Sequence, residues 1–412
     1  MEELLSPPRL DGEQTEIYNA LTAFTNGSII LKYPRSGQYR SAFVVTDLDD
    51  EPTDEAIVFY ETPNVSDGSS LRLNFLDKQD GRWVSVYDFA APGSEVESVM
   101  FRDLGDGNVT LLINYLVQST SDRTTSVMTY KNGSPEEIVS LRNIYTDVFD
   151  ADGNGTDDLF IISAERASGI STARIFSWQD DLFTDIGQVN MNNAFASIKN
   201  VFCNTCDEFG TRSIFIDYAY SDGSFSTYAI IKGPYYFYLS PALSPDTVIK
   251  NSNSYTPYIP CSDPDGDGNT EVPVTVPFPT YEESPRAEQL NKTVWYRLKQ
   301  AGTALVEKFE SFVGTRNDYV LIFPPEWKDQ VTASVSISEG VVRLNRYTPV
   351  PDSPEETILS IFSAAEGNTS KYESDDYIRL GTSSSGYSYF AQPGESQLAP
   401  AESVLRELFI LK

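Results

Sequence analysis

A short acidic loop recurs along this chain, each time between segments rich in β-forming residues. The loops begin near residues 47, 103, 150, 206 and 263 of the 412-residue sequence, so successive loops are 47 to 57 residues apart. That spacing accommodates four short strands. Internal repeats of this length indicate stacked supersecondary units and constrain the fold more than composition does.

A second marker keeps step with the loops. About 25 to 35 residues after each loop begins, a tight turn separates two apolar strands, at 77–83, 130–134, 178–182, 231–235 and 298–302. Asn-Gly and Asp-Gly in such turns supply the positive φ that hairpins need. The pattern predicts strand, acidic loop, strand, strand, tight turn, strand, and the first repeat fits with strands at 41–47, 55–60, 71–76 and 83–89.

These features predict a mainly β protein whose residues 29–312 form a β-propeller of about five blades, each a four-stranded repeat. A β-sandwich is the competing arrangement. It would not be expected to hold the loop and turn markers in phase through five copies.

Three of the loops carry carboxylates at alternate positions, a pattern suited to calcium. Ca²⁺ takes six to eight oxygen ligands, here side chains at positions 1, 3, 5 and 9 and a carbonyl at position 7. Glycines in the 150 and 263 loops permit the tight backbone path, whereas the 47 loop lacks glycine and carries Pro52. The predicted ligands are Asp47, Asp49, Glu51, Thr53 and Glu55; Asp150, Asp152, Asn154, Thr156 and Asp158; and Asp263, Asp265, Asp267, Asn269 and Glu271.

The alternative is an ion-free loop held by the hydrogen bonds of its own Asx turns. Several acids within nine residues would then repel one another with no cation among them, which favours the metal. We therefore expect two to three structural Ca²⁺ sites with dissociation constants of about 10⁻⁴ to 10⁻³ M. The loop at 103 lacks acids at positions 3 and 9, and the segment at 206–210 has lost the acidic pattern, so no ion is expected at 103.

At these residues the chain resembles the FG-GAP and VCBS-type repeat propellers, a class that includes the integrin α-subunit head. The resemblance rests on the Asp-x-Asp-x-Asn/Asp-Gly-x-x-Asp loop and the repeat length, while the FG-GAP dipeptides are absent. It implies a calcium-loop propeller of the kind found in bacterial secreted lipoproteins, outside the cell or at its surface.

The periodicity changes after the fifth repeat. Residues 313–412 predict an α+β domain with strands at 318–323, 331–338, 341–347, 357–364, 376–381 and 387–392 and a helix over 400–411. Its element order and a strand-Pro-Trp phrase resemble the PsbP/Mog1 type of domain. Residues 1–28 form an N-terminal segment with a short helix over 14–24, whose Ile17, Leu21 and Phe24 share one face.

Net charge and the absence of targeting signals limit the classes of binding partner and the cellular location that we expect. Sixty acidic and thirty basic residues give a net charge of −30, which repels nucleic acid and anionic lipid and favours cations, basic ligands or neutral glycans. No apolar run approaches 18 residues, so no membrane insertion is expected, and the first five residues have no export signal. We expect an extracellular or surface-anchored monomer, and a lipid anchor on a lost N-terminus would fit this location.

Catalytic motifs are scarce. The chain has no histidine, which excludes His-based triads and His-ligated metals, and Cys203, Cys206 and Cys261 are interpreted as buried or locally paired thiols. The sequence favours a non-catalytic binding or scaffold protein for a protein or glycan ligand. The alternative is a glycan-active lyase or hydrolase. Aromatic groups at 235–238 and at Tyr387, Tyr389 and Phe390 could bind ligand, although strand packing is the favoured interpretation.

Overall fold

A computed structural model describes residues 10–62, 71–117, 123–131, 133–165, 168–191, 197–243, 256–314, 316, 318–349, 355–365 and 367–412. Within these residues the protein is mainly β, in antiparallel sheets of four or five strands. The chain separates into two compact units, residues 1–194 and 195–412. The domain division at residues 28 and 312 stays a prediction.

The described residues of unit 1 form one helix and three consecutive sheets, and chain neighbours pair within each sheet. In the first sheet β1 and β2 both pair with β3. The elements are α1 (Gly12–Thr25); β1 (Ile30–Leu31), β2 (Phe43–Thr46), β3 (Glu55–Glu61), β4 (Leu71–Gln79) and β5 (Arg82–Ala90); β6 (Glu95–Arg102), β7 (Thr110–Leu116), β8 (Arg123–Lys131) and β9 (Ser134–Asn143); and β10 (Tyr145–Phe149), β11 (Asp158–Glu165), β12 (Ile170–Gln179) and β13 (Leu182–Met191).

The predicted repeat is confirmed in unit 1. The acidic loops lie directly before β3, β7 and β11, and a tight turn precedes the last strand of each sheet. Asp80, Asp180 and Asp181 adopt positive φ at these turns, as Asp tolerates better than most residues. Asn132 of the second predicted turn and residues 1–5 lie outside the described residues.

The sheets of unit 1 bury apolar faces against one another. One core cluster joins the first two sheets through Phe75 and Ile113, and another joins the second and third through Leu112 and Ile161. Helix α1 packs Ile17 and Leu21 into a third cluster beside Trp83. Phe24, the third predicted member of this face, lies in the last turn of the helix and is half exposed.

In its described residues, unit 2 contains three further sheets. Strands that are not neighbours along the chain pair in two of them: β24 pairs with β26, and β21 pairs with the last strand of the chain. The strands are β14 (Ser197–Thr205), β15 (Arg212–Ala219), β16 (Phe225–Lys232) and β17 (Phe237–Leu239); β18 (Glu271–Pro277), β19 (Asn291–Lys299), β20 (Ala304–Val313) and β21 (Tyr319–Ile322); and β22 (Val331–Ser336), β23 (Val341–Arg346), β24 (Thr357–Ala365), β25 (Ile378–Thr382) and β26 (Tyr387–Pro393).

The predicted strand before the 263 loop is absent from the described residues. A single bridge joins Ser262 to Glu271 instead. Pro257 and Pro260 precede it, and proline has no N–H to donate to a strand ladder.

The C-terminal prediction was only partly correct. Helix α2 spans Glu402–Leu408, and the chain then forms β27 (Phe409–Leu411), which pairs with β21. The 400–411 helix is cut short because Phe409 packs on Tyr319, with ring centroids 4.7 Å apart. Leu405 of α2 is buried, whereas Val404 is exposed. Neither α-helix of the described residues is long and apolar enough to cross a bilayer.

Candidate metal centres

The loop between β10 and β11 is built around the carboxylate of Asp150. Its Oδ1 accepts hydrogen bonds from the backbone amides of Gly153 (2.7 Å) and Asn154 (3.1 Å), and its Oδ2 accepts one from Gly155 (3.2 Å). Gly153 and Gly155 adopt φ of 83° and 90°, which side chains disfavour. The sequence therefore folds this loop by turning its own amides toward its first aspartate.

The ninth residue of the same loop is a buried acid. Asp158 is the first residue of β11 and is 0% exposed. Its Oδ2 accepts a 2.8 Å hydrogen bond from the Ala151 amide, while its Oδ1 is buried without a hydrogen-bond partner among the described residues. Burial raises the pKa of Asp158 to about 6. A buried carboxylate oxygen without a donor is a natural cation ligand.

Three loops each gather three acids. Ligand oxygens of the acids at positions 1, 3 and 9 lie within 4.8 Å of one another in each loop. The groups are Asp47, Asp49 and Glu55; Asp150, Asp152 and Asp158; and Asp263, Asp265 and Glu271.

The first loop reproduces this arrangement without glycine. Asp50 takes the positive φ, at 63°. Glu55 is buried, and its Oε2 accepts a 2.8 Å hydrogen bond from the Leu48 amide. Oδ1 of Asp49 is buried without a partner among the described atoms. Burial, and then the nearby charges of Asp49, Asp77 and Asp47, raise the pKa of Glu55 to about 7.

The third acid group contains a side-chain cation. Glu271 is 0% exposed, and its Oε1 lies 2.9 Å from Nζ of Lys308. The same Nζ lies 2.8 Å from carboxylate oxygens of Asp265 and Asp267. Oε2 of Glu271 is buried without a hydrogen-bond partner in the described structure. Burial raises the pKa of Glu271 to about 8, although Lys308 opposes the rise.

Loop positions 5 and 7 match the predicted ligand set less uniformly than positions 1, 3 and 9 do. The acids Glu51 and Asp267 lie outside the three-acid groups. In the 150 loop, Oδ1 of Asn154 accepts hydrogen bonds from the amide (2.8 Å) and hydroxyl (2.6 Å) of Thr156. Their roles as ligands, like that of Thr53, stay predictions.

Sequence reasoning missed the two cations of the 263 loop. Nη1 of Arg297 lies 3.1 Å from a carboxylate oxygen of Asp267. Arg297 is in β19, and Lys308 is in the neighbouring strand β20. Arg297 is 30 residues from Asp267 along the chain and Lys308 is 37 residues from Glu271, so only strand pairing brings the two bases to the loop. The alternating strand pattern alone did not give that register.

The donor atoms of the other two loops fit calcium. They are carboxylate and amide oxygens with no nitrogen or sulfur, which is the set that hard cations prefer. None of Cys203, Cys206 and Cys261 forms a disulfide, and none belongs to the three acid groups. Burial raises the pKa of Cys206 to about 11, so its thiol stays protonated at neutral pH.

The aromatic groups divide between packing and exposure. Tyr389 and Phe390 are buried in the core, which confirms strand packing for them. Tyr235 and Tyr236 are 91% and 64% exposed, so strand packing was wrong for this pair. They fall between β16 and β17, where a turn rather than a strand carries them outward.

Comparison with known proteins gives no family. No family profile matches the chain, and no curated protein matches it. Among solved structures, the chain is similar to a structure described as the Dos1 propeller, with a TM-score of 0.31 and 9% identity over 88% of this chain and 81% of that one. It is also similar to a Bacteroides uniformis protein described as a candidate 6-phosphogluconolactonase, with a TM-score of 0.27 and 11% identity over 80% and 94% of the two chains. Neither similarity is close enough to indicate a function.

Proposed function

We propose that this protein is a non-catalytic binding or scaffold module whose sheets are blades of a calcium-stabilised, propeller-type repeat. The single observation that carries the proposal is the acid group of the 150 loop. There, three carboxylates converge within 4.8 Å, and one of them is wholly buried with an oxygen that no donor satisfies. A divalent cation would satisfy that oxygen and offset the repulsion among the acids.

A structural role for the ion follows from where its ligands lie. Asp150 follows β10 directly, and Asp158 opens β11, so a bound ion would tie the ends of two paired strands together. Such a tie stabilises the folded state in proportion to ion occupancy, because the unfolded chain does not gather these acids. The ligand that the module binds outside the cell is a protein or a glycan.

A structural role is also favoured over glycan cleavage. Hydrolases of sugars place two carboxyl groups of different pKa about 5 to 10 Å apart across one cleft. Among the described residues, the carboxyl groups whose pKa burial raises to between about 6 and about 8 are Glu55, Asp158 and Glu271, each in a different loop. That distribution fits one buried anchor per loop.

Thermal unfolding of the full chain tests the proposal. We expect 2 mM CaCl₂ to raise the Tm over that in EDTA, with each saturated site adding about 1 kcal/mol or more. MgCl₂ at the same concentration is the matched control and should have a smaller effect, because Mg²⁺ demands a tighter octahedral site. Equal melting temperatures in EDTA and calcium would contradict the proposal.

A further inference from the structure

The 263 loop lacks a backbone donor that the other two acid loops possess. In those loops the amide of the second residue, Leu48 or Ala151, donates 2.8 Å to the ninth-position carboxylate. The second residue of the 263 loop is Pro264, which has no N–H. Its ninth-position acid, Glu271, is wholly buried and must be satisfied in another way.

Lys308 supplies that partner. Its ammonium contacts Asp265, Asp267 and Glu271, all within 2.8 to 2.9 Å. Its side chain is only 19% exposed. Two of these acids, Asp265 and Glu271, belong to the group that would hold a metal ion. The ammonium therefore stands where a divalent cation would stand.

A β-bulge accounts for the placement of Lys308. The β19–β20 ladder pairs Trp295 with Phe309 and Tyr296 with Glu307, which leaves Lys308 unpaired. A bulge of this kind re-aims the side chain of its extra residue.

The same bulge recurs on the last strand of three sheets in unit 1. There the unpaired residues are Val86, Ile138 and Ile186. All three are aliphatic. Of the four sheets with this bulge, one has a lysine at the bulge position. It is the same sheet whose acidic loop has proline at its second position.

We propose that Lys308 is an internal cation that occupies the 263–271 site and competes with calcium there. This inference rests on the proposed function for the other two loops. The 47 and 150 loops bind calcium, whereas the 263 loop is held closed by its lysine and takes calcium only when the ammonium leaves. No lysine or arginine pairs with Glu55 or Asp158 in the described part of the chain, so those two acids have no such competitor.

Calcium titration of the full chain by calorimetry tests this inference. The wild type should bind two ions. Lys308→Ile installs the aliphatic residue of the other bulges and should bind a third ion, with an affinity at the 263–271 site at least tenfold higher than that of the wild type. Ile186→Lys is the reciprocal change and should weaken the site of the 150 loop at least tenfold. Lys328→Met is the control, because Lys328 pairs with Glu307 of β20 on the surface and should leave all sites unchanged.

A second measurement keeps the test informative if a variant is poorly folded. In EDTA, the Tm of Lys308→Ile should be lower than that of Lys328→Met. Calcium should raise the Tm of Lys308→Ile and remove this difference. Three equivalent ions in the wild type, or an unchanged ion count in a folded Lys308→Ile variant, would overturn the inference. A wild type that binds no calcium while Lys308→Ile binds one ion would overturn the proposed function and support the inference.

Discussion

The loops at 103–111 and 150–158 share one backbone design and differ at its last position. Oδ1 of Asp103 accepts hydrogen bonds from the amides of Gly105 (2.8 Å) and Gly107 (3.0 Å), much as Asp150 collects three amides. The ninth position is Leu111 in the first loop and Asp158 in the second, and both are buried. In both loops the first aspartate gathers backbone amides, and under the proposed function the ninth residue decides whether the loop takes an ion.

The loop at 207 extends the comparison within unit 2. Oδ1 of Asp207 accepts from the amides of Phe209 and Thr211, each at 3.1 Å, and Oδ2 accepts from Ala301 at 3.2 Å. Burial opposes ionisation of Asp207, but the bonds from Thr211 and Ala301 outweigh it and lower its pKa. A loop whose acid is satisfied on both oxygens by amides has no demand for a cation.

The largest expected effect comes from moving the ninth-position acid into the ion-free loop. Leu111→Asp should cost about 4 kcal/mol of unfolding free energy, because it removes apolar burial and buries a carboxylate. Calcium should not rescue the variant, since positions 3 and 5 of this loop are Gly105 and Gly107. Urea unfolding at pH 8, with and without calcium, measures both effects.

Leu111→Ala is the control, since it creates a cavity without a charge. Its deficit should be independent of pH, while that of Leu111→Asp should grow as pH rises. Full rescue of Leu111→Asp by calcium would show that the loop backbone alone, without the acids at positions 3 and 5, makes the site.

The next effect concerns the buried acid of the 150 loop. With its pKa raised from 3.8 to about 6, ionised Asp158 destabilises the calcium-free protein at pH 8 by about 3 kcal/mol. Asp158→Asn should therefore be more stable than the wild type in EDTA and should lose the calcium response of this loop. Asp157→Asn, at an exposed neighbour, should do neither.

The sign of the pH dependence follows from the same shift. Between pH 4 and pH 6 the folded protein holds a proton on Asp158 that the unfolded chain has lost, so stability falls as pH rises through this range. Wild type and Asp158→Asn in EDTA should differ in slope by about 1 kcal/mol per pH unit. Parallel slopes would mean that Asp158 is not a protonated, ion-free acid in the calcium-free protein.

The smallest effect comes from the first aspartate of the ion-free loop. Asp103→Ala removes two exposed amide contacts and should cost about 1 kcal/mol, equally in EDTA and in calcium. The matched variant Asp150→Ala should show a similar cost in EDTA and a larger one in calcium, because it also loses a ligand. Thermal melts of both variants decide this, and a calcium-dependent cost for Asp103→Ala would contradict the division of roles between positions 1 and 9.

Much of the repeat was predictable because its signals are local. Alternating strands, Asp and Gly at tight turns and acids at alternate loop positions all act within a few residues. The strands around Glu55 and Trp83 accordingly fall close to the predicted positions. The three acid groups at positions 1, 3 and 9 also follow from spacing within one loop.

The features that escaped prediction depend on strand register or tertiary contact. Lys308 reaches the 263 loop only through a bulge opposite β19, and no pattern within β20 marks it. The last helix gives way to β27 because Phe409 finds a buried place beside β21. Asp158 and Glu271 are wholly buried, and the spacing of acids within their loops does not reveal this.

The central claim is that cations bind at the buried ninth-position acids. Crystals of the full chain grown with 5 mM CaCl₂ and measured at a long wavelength would locate calcium directly by anomalous scattering. The account predicts peaks within the Ca–O distance of about 2.3 to 2.6 Å from Asp158 and from Glu55. Well-ordered 47 and 150 loops with no anomalous peak at that calcium concentration would contradict it.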